Sequence, residues 1–121
     1  MPEPELVIAS CHCGAVTLKL PHPPELLTDC NCSICAKSGV VWAYYRPDEV
    51  EVTGKTVGYA RADIPVASIQ FHHCPRCGST THWATFTQLK LKRMGVNARL
   101  MNEQALLGVE VRASDGKNWE R

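Results

Sequence analysis

The chain has 121 residues, 45% of them apolar and 21% charged, the composition expected of a single globular domain over residues 1–121 with a modest core. Thirteen basic against twelve acidic side chains, with no block of like charge, argue against nucleic acid or an anionic membrane surface as a partner. The opening "MPEPELVIASCHCG" has no basic segment before its short apolar run, and nothing approaches the roughly 20 apolar residues that span a bilayer, so a cytoplasmic protein is expected.

In chain order, apolar residues recur with period two or in short continuous runs rather than with helical period. "ELVIAS" (Glu5 to Ser10) and "GAVTLKL" (Gly14 to Leu20) are the first two expected strands. In the second, Ala15, Thr17 and Lys19 alternate with Val16, Leu18 and Leu20, one set for water and one for a core. "PHPPE" (Pro21 to Glu25) reads as a turn. "SICAKSG" (Ser33 to Gly39) suggests one helical turn stopped by Gly39. Strands are then expected at "VVWAYY" (Val40 to Tyr45), "VEVTG" (Val50 to Gly54), "VGYAR" (Val57 to Arg61), "VASIQFHH" (Val66 to His73) and "TTHWATF" (Thr80 to Phe86). "NEQALL" (Asn102 to Leu107) predicts a second helical turn with Asn102 as N-cap, and "LLGVEVRA" (Leu106 to Ala113) a last strand. The fold class is therefore mainly β, several small antiparallel sheets.

Seven cysteines are the chemical signal. An odd number cannot all pair, and a reducing cytosol disfavours disulfides, which leaves metal ligation as the favoured explanation. They fall in three clusters: "CHCG" (Cys11 to Gly14), "CNCSIC" (Cys30 to Cys35) and "CPRCG" (Cys74 to Gly78). The last is a zinc-knuckle half-site, in which a two-residue spacer lets both sulfurs face one metal. Gly78 can take the positive φ that turns backbone N–H groups toward them. "CHCG" offers the complementary pair. On a flat strand Cys11 and Cys13 would point to opposite faces, so joint ligation requires a bend, which Gly14 eases. Grouping Cys11, Cys13, Cys74 and Cys77 as one structural zinc site leaves Cys30, Cys32 and Cys35 together. Three ligands with one exchangeable position is the pattern of a catalytic zinc; a second structural site completed by a distant histidine, or an accidental cluster of thiols, explains the spacing equally well. Three thiolates make zinc a weak Lewis acid suited to a soft fourth ligand or to a carbonyl that is already reactive.

"CHCGAV", "CNCSICAKSG" and "FHHCPRCGSTTHW", in that order, resemble the glutathione-dependent formaldehyde-activating family, also called the Gfa or centromere protein V domain. The tail "MGVNARLMN…LLGVEVRASDGKNWE" is similar to family C-termini as well, so the likeness covers nearly the whole chain. The resemblance implies an Mss4-like fold built around zinc. It implies structural ligation by Cys11, Cys13, Cys74 and Cys77, and a second, catalytic zinc on Cys30, Cys32 and Cys35. The activity it implies is that of a carbon–sulfur lyase joining formaldehyde to glutathione as S-(hydroxymethyl)glutathione. Two positions depart from the pattern: Asn31 stands where the family often has His, and Ala36 where it often has Arg.

The remaining candidates are weaker. His72, His73 and His82 flank the knuckle and are more often structural than catalytic. Lys37, Arg46 and Arg93 are candidate contacts for the carboxylates of a thiol such as glutathione, against the simpler role of solvated charge. Trp42, Tyr44 and Trp83 suit a core or a pocket wall. A zinc-stabilised binding module without chemistry, and a thiol redox sensor that releases zinc on oxidation, are the competing functional classes.

Overall fold

The computed structural model describes residues 6–65, 67–85 and 93–116. Among these residues ten strands form two sheets. β1 (Val7–Ser10), β2 (Thr17–Leu20) and β5 (Glu51–Thr53) make a three-stranded antiparallel sheet in the order β1-β2-β5. The larger sheet has the order β10-β3-β4-β9-β8-β7-β6, from β3 (Leu26–Cys30), β4 (Trp42–Tyr45), β6 (Val57–Ala60), β7 (Ile69–His73), β8 (Thr80–Thr85), β9 (Met94–Asn97) and β10 (Glu110–Ser114). Its pairs are antiparallel except β3–β10, which run parallel with Leu26 beside Glu110 and Cys30 beside Ser114. The mainly β expectation holds. Its antiparallel detail fails at that one edge, where the chain returns after α2 and enters from the same end as β3.

Every expected strand is present, most of them shorter than expected within the described residues; Glu5, Val66 and Phe86 of the expected spans lie outside those residues. In β2 and the residue before it, Val16, Leu18 and Leu20 are buried while Ala15 and Lys19 are exposed, the alternation the sequence foretold. The two helical turns also form. α1 (Ser33–Ser38) ends at Gly39, whose φ of 67° is left-handed and cheap only for glycine. α2 (Glu103–Leu106) is capped by the Asn102 side chain, which accepts from the Ala105 N–H at 2.9 Å. No helix among the described residues is long and apolar enough to cross a membrane.

The large sheet has two differently used faces. One face of β4 and β9 carries Ala43, Tyr45, Met94 and Val96, which share a buried cluster with Val7, Ala9, Leu18 and Leu20 of the small sheet. This is the main core. The opposite face carries Trp42, Phe71 and Trp83, clustered with Cys32, Cys35 and Val40, with Tyr44 packed alongside. Period-two side-chain direction explains the division: Trp42 and Tyr44 go one way, Ala43 and Tyr45 the other. Gly95 lies beside both Tyr44 and Trp83 in the register, and its missing side chain leaves room for the Trp83 indole over the strand.

Two candidate metal centres and a cavity

Four of the cysteines come together from the two sheets. Cys11 and Cys13 lie in the turn joining β1 to β2, Cys74 and Cys77 in the turn joining β7 to β8. Both turns are built alike. Gly14, at φ 82°, donates its N–H to the Cys11 carbonyl at 3.1 Å; Gly78, at φ 79°, donates to the Cys74 carbonyl at 2.9 Å. Positive φ is what bends a C-x-C segment enough to bring both sulfurs to one side. The four sulfurs all lie within 4.8 Å of one another, with Cys11–Cys13 at 3.7 Å and Cys13–Cys74 at 3.6 Å. A tetrahedron of sulfurs about 2.3 Å from a zinc has edges of about 3.8 Å, so the donor set fits a four-thiolate ion.

Backbone N–H groups surround this cluster. The Val16 N–H donates to Cys11 Sγ at 3.2 Å and the Arg76 N–H to Cys74 Sγ at 3.4 Å. Ser79, through its hydroxyl and its N–H, holds the Cys77 thiol down at about 5, helped by the Cys13 N–H. Burial pushes Cys11 up, but the Val16 N–H and the neighbouring thiols carry it below its ordinary value. At Cys13 the Ala15 N–H pulls downward and is outweighed by desolvation and three nearby sulfurs, which raise the thiol to about 11. The sulfurs cannot all ionise side by side without a cation between them.

The other three cysteines sit where β3 passes into α1. Cys30 ends the strand, Cys32 is the helix N-cap and Cys35 lies in the first turn, so a spacing of three puts Cys32 and Cys35 on one side. Their sulfurs lie within 4.8 Å of one another, a set that can hold a metal with fewer than four protein ligands. Burial pushes the Cys32 and Cys35 thiols up, Cys35 very far, although the Trp42 indole N–H donates to Cys35 Sγ at 3.2 Å. The end of the chain's last strand closes one side. Asn31 donates its backbone N–H to the Ser114 carbonyl and its side-chain amide to Asp115 Oδ1, both at 3.0 Å. Gly116 then passes so close that a Cβ there would stand 2.6 Å from Cys30 Sγ.

These three sulfurs line a cavity of about 480 Å³, walled by Trp42, Tyr44, Phe71 and Trp83, with Arg61 and Arg93 at its edges. Cys11, Cys13, Cys74 and Cys77 do not line it. Trp42, Tyr44 and Trp83 are thus pocket wall, one of the two roles open to them from sequence. Arg93 lies over the Tyr44 ring, 4.3 Å from its centroid. Lys37 lines neither this cavity nor its neighbour, and Arg46 lines only the neighbour. His72, His73 and His82 stay outside it as well. The rings of His72 and His82 stack face to face at 4.5 Å. The Thr81 hydroxyl donates to the His72 carbonyl and so accepts from His82 Nδ1 at 2.8 Å. Desolvation, with the His72 charge adding to it, pushes His82 down to about 4. It is a neutral structural histidine at pH 7.

Sequence reasoning missed Arg61, Gly95 and Gly116. Arg61 is only 11% exposed, is ion-paired to Asp63 and donates to the Ser33 hydroxyl at 3.0 Å. Only the fold brings it to α1, and the two glycines carry no local signal for what they touch.

This is a mainly β domain with two cysteine clusters that could each hold a metal ion, one of four residues between its sheets and one of three at a cavity. The family model described as glutathione-dependent formaldehyde-activating enzyme matches residues 6–113, and the chain belongs to this family. A crystal structure of a Rhodobacter sphaeroides protein is similar at 25% identity with a TM-score of 0.67, covering 87% of this chain and 99% of that one. No curated protein matches the chain significantly.

Proposed function

We propose that this protein is a zinc-dependent carbon–sulfur lyase that makes or breaks the adduct of a small-molecule thiol and an aldehyde, as in S-(hydroxymethyl)glutathione formation. One observation carries the reading: the incomplete set Cys30, Cys32 and Cys35 opens on the cavity, whereas the complete set Cys11, Cys13, Cys74 and Cys77 lies away from it. The family supplies the substrates named, glutathione and formaldehyde. Seven free thiols suit a reducing, cytoplasmic setting.

In this reading residues 1–121 form one zinc domain, and the four-cysteine set is its structural ion. Cys30, Cys32 and Cys35 hold the catalytic one. Zinc bound there supplies an open Lewis-acid position for a thiolate sulfur or an aldehyde oxygen. The surrounding residues do the rest. Trp42, Phe71 and Trp83 exclude water from the adduct, and the Trp42 N–H fixes the Cys35 sulfur. The thiol sulfur bonds to the carbonyl carbon, the C=O π bond breaks, and the thiol proton passes to the carbonyl oxygen.

The test is a pair of substitutions. Cys32→Ser should abolish thiol-dependent turnover and lower zinc content from two ions per chain toward one, with the fold retained. Cys74→Ser should unfold the protein or remove most of its stability, because a structural zinc contributes roughly 10–16 kcal/mol of apparent binding energy in small domains. Equal loss of stability in both variants would refute the division of roles. A single zinc in the wild type, indifferent to added thiol, would instead identify a binding module.

A further inference from the structure

The cavity over the triplet has a neighbour. A second cavity of about 420 Å³ is lined by His22, Glu25, Tyr45, Arg46 and Glu49, and Tyr44 and Arg93 line both. The ridge between the two is therefore the stacked pair Tyr44–Arg93. The cations near this ridge differ in what already occupies them. Arg61 is held by Asp63, and Arg46 by Asp48 through two of its nitrogens. Arg93 has no ion-pair partner among the described residues and is held by an aromatic face alone. Stacking fixes the plane of a guanidinium and leaves its N–H edge open, the arrangement that takes a carboxylate bidentately. Beyond the ridge two carboxylates join Arg46 on the second cavity. Glu25 is exposed with no ion-pair partner among the described residues. Glu49 accepts the Arg46 N–H through Oε1 at 3.0 Å, and its other oxygen, Oε2, is in no hydrogen bond among the described residues.

We infer that Arg93 is the carboxylate anchor of the thiol substrate. The second cavity then receives the substrate's zwitterionic amino-acid head, with its ammonium toward Glu25 and Glu49, while its sulfur stands at Cys30, Cys32 and Cys35. This rests on the reading of the triplet as the reacting centre and adds to it the residue that sets thiol specificity. Arg93 would select a thiol with a free α-amino-acid group at a distance from its sulfur, as at the γ-glutamyl end of glutathione, over a simple aliphatic thiol.

Binding to the zinc-loaded chain, followed by calorimetry, tests this apart from turnover. The probes are glutathione, glutathione diethyl ester and 2-mercaptoethanol. Loss of one charge-assisted pair corresponds to roughly tenfold or more in affinity. Glutathione should accordingly bind the wild type at least that much more tightly than its diester, and Arg93→Gln should remove the preference while leaving 2-mercaptoethanol unchanged. Arg93→Lys should restore it in part, since charge returns without the fork. The inference is overturned if the wild type does not distinguish glutathione from the ester, a comparison that needs no variant to fold. It is also overturned if Arg93→Gln binds glutathione as the wild type does, or if the wild type does not bind glutathione. Selective binding without turnover would sink the lyase reading and leave the anchor standing.

Discussion

Gly116→Ala probes the triplet without altering a ligand. Its methyl would stand 2.6 Å from Cys30 Sγ and 3.0 Å from the Cys32 Cβ. Favourable non-bonded contact begins near 3.5 Å, so the sulfur lacks about 0.9 Å of room. Metal–ligand distances tolerate only about 0.2 Å. Relief through the last strand is opposed by the two Asn31 hydrogen bonds to Ser114 and Asp115, and by the parallel ladder of β3 and β10. The strain therefore falls on Cys30. Overpacking of this kind costs roughly 1–3 kcal/mol, which taken wholly from metal affinity is about a tenfold to hundredfold loss. With zinc on both cysteine sets, as proposed, competition against a chromophoric chelator should resolve two release steps. The weaker should move by that factor, and the tighter, from the four-cysteine set at the sheet junction, should not move. Equal movement of both steps, or of neither, would refute the placement of Gly116 and the independence of the two centres.

Two further outcomes follow from the aromatic face and its buried histidine. Gly95→Ala would drive a methyl into the Trp83 indole, 2.6 Å from its Cδ1, and should cost roughly 1–3 kcal/mol in denaturant unfolding with a shift in tryptophan emission; wild-type stability and emission would contradict the packing. His82, ordinarily near 6.5 and held to about 4 here, binds a proton more readily when unfolded, so its contribution of about 3 kcal/mol is present above pH 6.5 and is lost as pH falls toward 4. Its ring signals in an NMR titration should remain those of the neutral imidazole at pH 5, and a midpoint near 6.5 would show that the ring is solvated.

What could be read from the sequence was what is local. The apolar alternation of β2, the stop at Gly39 and the Asn102 cap each depend on residues within one turn or strand, and all three form. Bends at Gly14 and Gly78 were legible because a pair of ligands demands them. Two strands escaped. β3 carries Thr28, Asp29 and Cys30, and β9 is four residues with a glycine second, so neither shows a β-rich run, and pairing on both sides makes them strands anyway. Grouping of the cysteines was legible as arithmetic, but the cavity was not. Its walls come from β4, β7, β8 and the segment after β10, joined only by the order β10-β3-β4-β9-β8-β7.

The two cysteine sets differ most in what surrounds the sulfur, and this argues for different work. Around the four-cysteine set the amides of Val16, Arg76, Ser79, Cys13 and Ala15 point at sulfur, and the Ser79 hydroxyl joins them. Each such donor disperses thiolate charge and fixes a ligand in place. A set so supplied is rigid, and its position between two hairpin turns from different sheets makes it a staple. Around Cys32 and Cys35 the chain supplies the Trp42 indole and the Cys35 amide, beside a largely aromatic wall. With so few donors, thiolate charge would stay concentrated on sulfur, so a metal held there would keep a soft, electron-rich ligand field. Such a field suits a fourth ligand that exchanges, as a substrate thiol must. Asn31 fastens the end of β10 beside this set, through Ser114 and Asp115. Its effect on the reaction is thus expected through the position of Cys30 rather than through contact with substrate.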